Sequence, residues 1–485
     1  MNVQAFSHLG AFVQDLTRRV RHDVSVQPVV SPSLDDNFVT AESHGLGGPL
    51  GKRAQLSSSR WTPFIVGILL AGAVFSIGIV MRGPCAESGF QDGTVYVKMC
   101  YTDIGKLYVD RGLDRGNFPY ASRLDGTDYV EYPVLQGLLM WIPTQVIGTT
   151  GDVKARTIAY YALSSLLLYA LLLLAIWATV QSAGRRPWDA LILAAAPSIA
   201  LVGTLNWDLL PVALLALAIL AWSRERPWLC GVLIGLGAAA KLYPFLLLVA
   251  LFVLAVRTRR FSGFTRATLG AIGAWVAVNL PFAWLYPEGW RTFYELSRDR
   301  GFDFGSVWLS LRFLGVPVDK VDSSQAVAGS FGLLVLGVIA LSLFAPRRPR
   351  LVQVLLLIVM AFAITNKVYS PQFALWLLPL VALARPRWRD VLIWQSGQAI
   401  YYVGVWLWLN KFTEADRSLD DRSYAILILI QIASSVYIAG LVIRDIWKPE
   451  HDPVRMDGSD DPQGGEFDGL PDHVRVSKSV VEVTR

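Results

Sequence analysis

Residues 128–148 read DYVEYPVLQGLLMWIPTQVIG: two carboxylates, a Tyr-Pro step, then about fifteen mostly apolar residues broken by a second proline. Whether this stretch crosses a membrane or lies along its surface sets the sidedness of everything after it. The surrounding chain has 485 residues, 53% hydrophobic and only 17% charged, with a mean hydropathy of +0.43. Long apolar runs recur along most of its length, the composition of an all-α polytopic membrane protein.

Twelve apolar runs approach spanning length: 62–81, 158–180, 190–204, 209–222, 229–240, 242–256, 267–285, 328–345, 351–365, 373–384, 391–409 and 424–443. The Lys and Arg residues cluster in short turns between them, at 52–60, 184–187, 224–226, 257–260, 347–350, 385–389 and 444–448. With twelve spanning helices every basic turn falls on one side, as cytoplasmic turns do. If residues 132–148 also crossed, the six clusters from Arg185 onward would flip outward together. At 1.5 Å per residue, residues 134–148 reach only about 22 Å of a hydrocarbon layer roughly 30 Å thick. The stretch is therefore predicted to be a juxtamembrane helix on the extracytoplasmic surface. Residues 82–157 become a long first outer loop.

The net charge of +6 does not indicate nucleic acid, because the cations sit as topology signals between apolar runs rather than on one surface. Residues 1–60 and 448–485 are polar, poor in aromatics and rich in Ser, Asp, Gly and Pro, and are predicted to be disordered cytoplasmic tails. No signal peptide is apparent before residue 61, so the first apolar run is expected to stay as an anchor. All five histidines, His8, His22, His44, His451 and His473, lie in the tails. Proton transfer in the body, residues 61–447, must then use carboxylate, Lys, Tyr or Cys, and His-based metal sites are excluded there. Cys85 and Cys100 face the oxidising side either as a disulfide or as two reduced packing residues, and Cys230 reads as a small packing residue.

Three polar clusters fall on the predicted outer face. The first loop carries the acids Asp103, Asp110, Asp114, Asp125, Asp128 and Glu131. A loop of this length is more than a connection needs. Asp103, close to a helix exit and set among Tyr101, Ile104, Leu107 and Tyr108, is the best-placed general base; for any one of these acids alone a solvated loop carboxylate is the favoured reading. In GVLIGLGAAAKLYPFLLL, Lys241 lies between two apolar runs, as a phosphate clamp or a snorkelling lysine, with glycines that permit close helix packing. Asp208, in the turn Asn206-Trp207-Asp208, either caps the next helix, the favoured reading, or holds Lys241 or a sugar hydroxyl. The third cluster sets Arg291, Arg298, Arg300 and Arg312 among aromatic residues, with 306–315 as a second surface helix.

Taken together, TDIGKLYVDRGL (102–113), NFPY (117–120), EYPVL (131–135), NWD (206–208) and GLGAAAKLYPFLL (235–247) resemble the GT-C class of membrane glycosyltransferases. More narrowly they resemble glycosyltransferase family 87, the polyprenol-phosphate-mannose-dependent mannosyltransferases of actinobacterial type. The resemblance implies a GT-C-like bundle of about twelve transmembrane helices and an active site on the extracytoplasmic face of the cell membrane. It also implies inverting transfer of a sugar from a polyprenyl-phosphate donor to a glycolipid or glycan acceptor. Asp103 takes the place of the family's early first-loop aspartate, the general base. Lys241, with Arg300 and Arg312, would bind the donor phosphate, and Arg111, Tyr120, Glu131, Tyr132 and Asp208 would complete the substrate site. Tyr132-Pro133 replaces the Pro-Pro of GT-C relatives. No cofactor is expected, and a divalent metal is possible but not called for. A transporter or flippase of a lipid-linked sugar is the alternative; it is disfavoured because no internal repeat or mid-helix acid is found. A topology reporter fused after Gly151 is expected on the extracytoplasmic side, and its appearance in the cytoplasm would overturn the twelve-helix arrangement.

Overall fold

The computed structural model describes residues 29–53, 59–121, 123–124 and 127–473, and these are helical with no strand. The principal helices are α1 (Trp61–Ala86), α2 (Asp103–Asp110), α3 (Val134–Trp141), α4 (Val153–Ser182), α5 (Leu209–Ser223), α6 (Pro227–Ala240) and α7 (Leu246–Thr258). They continue as α8 (Ser262–Leu285), α9 (Pro287–Asp299), α10 (Ser323–Phe344), α11 (Leu351–Thr365), α12 (Phe373–Ala384), α13 (Trp388–Leu409) and α14 (Asp421–Trp447). Among the described residues, five helices, α1, α4, α8, α10 and α14, are long and apolar enough to cross a membrane.

The interior is built on α11 and α12. Every residue of α12 is buried, and α11 is apolar on all sides, the pattern of a helix enclosed by others. α10 is the opposite case: of its residues only Ser342 is buried, and Leu333, Leu334 and Leu336 face outward. An apolar exterior of this kind suits a lipid surround. α6 and α8 cross closely because a Cβ at Gly231 or Gly235 would stand 2.1 Å or 2.3 Å from the carbonyl oxygen of Ala267 or Ala271. The small residues before Lys241 thus serve the close packing expected of them.

Residues 128–148 form no continuous helix of spanning length. Pro133 precedes α3, and Pro143 precedes a single turn, Thr144–Ile147. Residues 190–204, expected as one apolar helix, are broken into Leu191–Ala194 and Pro197–Val202. Pro197 has no N–H to donate, and Ala196 before it is extended, as a residue preceding proline tends to be.

The two tails depart from the expectation of disorder wherever they are described. Residues 1–28 and 474–485 lie outside the described residues. Asp35 pairs with Arg186 at 2.7 Å and Arg387 at 2.8 Å, while Asp36 accepts from the Trp388 backbone N–H. On the C-terminal side Asp452 forms a two-pronged pair with Arg350 at 2.8 and 2.9 Å, both side chains fully buried. Asp461 accepts from the Leu351 N–H, Asp472 pairs with Arg257, and Trp222 donates to the Gly464 carbonyl. The arginine turns at this end of the bundle are therefore neutralised by tail carboxylates, a complementarity that hydrophobic content alone does not reveal. Removing one partner of a buried pair leaves an uncompensated charge. Asp452→Ala is expected to cost about 3–5 kcal/mol and to lower the unfolding temperature of the purified protein, whereas Asp416→Ala on an exposed turn leaves it in place.

Candidate active site

The start of α2 is pinned to the turn before α5. Thr102 donates its hydroxyl to the Thr204 carbonyl at 2.7 Å, and the Asp103 N–H donates to the Leu205 carbonyl at 2.8 Å. Thr102 also caps α2 by accepting from the Ile104 N–H. The approach to this turn is closed by a disulfide between Cys85 and Cys100 and by Tyr402, which donates to the Met99 carbonyl. Asp103 is thereby held on regular structure, as a group that must meet a reacting atom needs to be.

Two tyrosines converge on the Asp103 carboxylate. Tyr132 donates to Oδ2 at 2.9 Å, and Tyr101 provides a second hydrogen bond. Burial pushes the Asp103 carboxyl up to about 6, against the pull of the tyrosine hydrogen bonds; the Glu131 charge adds to the rise and Lys241 opposes it. Burial, with the Asp103 charge nearby, raises Tyr132 and Tyr101 well above their usual value, so both stay protonated donors. Asp103 keeps partial exposure. The carboxyl is thus poised near neutrality and keeps an open side.

Tyr132 links Asp103 to the second cluster, because the Lys241 ammonium stands 5.1 Å from its ring centre and 5.7 Å from that of Trp376. Lys241 ends α6 in an extended conformation and pairs with Asp208 at 2.9 Å. Asp208 is fully buried and accepts from Lys241 and the Gln136 side chain through Oδ1 and from Trp376 Nε1 through Oδ2. The favoured expectation that Asp208 caps α5 does not hold: its carboxylate makes no cap hydrogen bond. A buried carboxylate gains more from a cation and two side-chain donors than from one backbone N–H.

Other expected residues buttress this centre or lie apart from it. Arg111 grips Glu131 with two bonds of 2.6 and 2.8 Å. Tyr120 adopts φ +75°, a conformation that favours glycine, and its hydroxyl donates to the Tyr132 and Pro133 carbonyls at 2.9 Å each. It lies so close over α3 that a Cβ at Gly137 would fall 2.0 Å from its oxygen. Tyr120 therefore sets the Tyr-Pro step. Arg300 turns back onto Asp303 and the Phe304 ring, and Arg312 lies over Phe313, so the structure does not bring this pair of arginines to Lys241. The 306–315 stretch holds the short helix Val307–Phe313, and the segment before it, expected as a loop, contains the amphipathic helix α9. Asp125 lies outside the described residues. Trp376 and Gln136 were missed. Trp376 and Gln136 sit in apolar helices with no local sign of a polar role, while Tyr101, two residues from Asp103, was legible as its neighbour.

Comparison with known proteins places this geometry in context. Residues 129–366 match the model of glycosyltransferase family 87. Over these residues the chain is a family 87 glycosyltransferase. The family 87 segment takes in Glu131, Tyr132, Asp208, Lys241, Arg300 and Arg312, while Asp103, Arg111 and Tyr120 precede it. A crystal structure of ArnT from Cupriavidus metallidurans bound to undecaprenyl phosphate is similar over 76% of this chain and 77% of that one, with 15% identity and a TM-score of 0.39. No curated protein matches the chain. The Tyr132 hydrogen bond lowers the proton affinity of Asp103, so Tyr132→Phe is expected to move the titration of that carboxyl, and any rate that depends on it, upward in pH. A pH profile of initial rates, compared with wild type, checks it.

Proposed function

We propose that this membrane glycosyltransferase moves a sugar, mannose, from a polyprenyl-phosphate donor to a glycolipid or glycan acceptor in the cell envelope, with inversion. Asp103 takes the proton of the acceptor hydroxyl, whose oxygen attacks the anomeric carbon as the bond to the donor phosphate breaks. The leaving phosphate keeps the bonding pair, and the Lys241 ammonium, with N–H groups beyond the one held by Asp208, offsets that charge. Asp208 and Trp376 position Lys241; Tyr101, Tyr132 and Glu131 tune and orient the base. The sugar and the donor class rest on the resemblance to family 87.

The observation that carries this reading is the juxtaposition through Tyr132: a carboxyl poised near pH 6 on one side of its hydroxyl and a lysine over its ring. The basic turns, gathered at the end of the bundle away from Asp103, support an extracytoplasmic site with both termini cytoplasmic.

Membranes carrying wild-type protein should transfer sugar from a polyprenyl-phosphate-mannose donor, and Asp103→Asn at equal expression should lose about 10²- to 10⁴-fold of the rate. The base works ionised, so the wild-type rate should climb through about pH 6 and level off above it. Undiminished transfer by Asp103→Asn would remove it as the base.

A further inference from the structure

A cavity of about 670 Å³ lies between α1 and α4. Phe75 and Ile79 form its α1 wall, and Ile158, Ala162 and Leu166 its α4 wall. Ile79, Ile158 and Leu166 are 39%, 38% and 64% exposed, so the cavity opens sideways through the apolar exterior of two helices of membrane-spanning length.

Arg82 also lines this cavity and is fully buried. Its Nη2 donates to the Leu201 carbonyl at 2.5 Å, and the Tyr402 ring centre lies 6.0 Å away. Nε and Nη1 have no acceptor, and no carboxylate pairs with the guanidinium among the described residues. The other arginines under 3% exposed among the described residues, Arg186, Arg257 and Arg350, each have an aspartate. A buried arginine with spare donors is costly beside an apolar cavity, and an anion would offset that cost. Arg82 stands one turn before the end of α1, at the height where a lipid headgroup meets a helix end.

We propose that this cavity binds a phosphate-headed lipid, with its chain against Phe75, Ile79 and Leu166 and its phosphate on Arg82. The lateral opening admits the tail from the bilayer, and the unpaired guanidinium selects the head. The site is separate from Lys241, whose charge is already shared with Asp208, and it does not rest on the role given to Asp103.

The test uses the purified full-length protein in detergent and four probes: undecaprenyl phosphate, undecaprenol, dioleoylphosphatidylglycerol and dioleoylglycerol. Native mass spectrometry reads bound lipid, and thermal unfolding reads its effect. Wild type should bind at least one phosphate-bearing lipid about tenfold or more tighter than its phosphate-free counterpart. The chain type preferred, single polyprenyl or diacyl, names the source of the phosphate. Arg82→Gln should abolish that discrimination. Ala162→Trp fills the cavity from an exposed position without touching Arg82 and should weaken binding of the same lipid, so it decides the matter if Arg82→Gln fails to fold. Lys241 is unchanged in every variant, so only binding lost with Arg82 or Ala162 counts. Equal binding of charged and uncharged lipids by wild type, or unaltered binding by Ala162→Trp, would overturn the proposal.

Discussion

The site end of the bundle depends on one buried carboxylate. Asp208 is withdrawn from solvent and draws to itself Lys241 at the end of α6, Trp376 of α12 and Gln136 of α3. A charge in that position is tolerable only if it is paired and hydrogen-bonded, so each partner is committed to one place. The consequence reaches Asp103: Lys241 packs over the Tyr132 ring, and the Tyr132 hydroxyl holds the Asp103 carboxylate. Asp103, Tyr132 and Lys241 are one linked set. α3 belongs to it through Gln136, and Tyr120 and the Arg111–Glu131 pair hold its approach.

The opposite end is organised by the same rule with the signs reversed. Arginines at the turns, Arg186, Arg257, Arg350 and Arg385, are buried, and aspartates of the tails or of α14 meet them. The chain thus has a carboxylate-centred end and an arginine-centred end, separated by apolar helices. Positive charge at these turns serves packing, because a cation that becomes buried must acquire a partner.

Much of this was legible where a local signal was strong. The bounds of α11 and α12 coincide with the apolar runs 351–365 and 373–384, since basic or proline-containing turns stop each run. Asp103, Tyr132, Lys241 and Asp208 stood out as polar residues at the edges of apolar segments, and the structure gathers these four. Arg300 and Arg312 stood out for the same reason, yet partners in their own loop hold them elsewhere. The break at Pro197 was missed because apolar content was weighed above a proline, and the docked tails because low hydrophobicity was equated with disorder.

By itself the sequence determined the helical class, the positions of most helices, the clustering of cations into turns and the short reach of residues 128–148. These follow from hydropathy, chain length and proline, all of which act within a few residues. Only the tertiary structure decided which charges meet. Asp208 turned from a cap into the holder of Lys241, Trp376 became its donor from some 170 residues away, and Asp452 found Arg350. Pairing of this kind is settled by what becomes buried together, because a charge leaves water only where a partner waits, and that place is set by the packing of helices far apart along the chain.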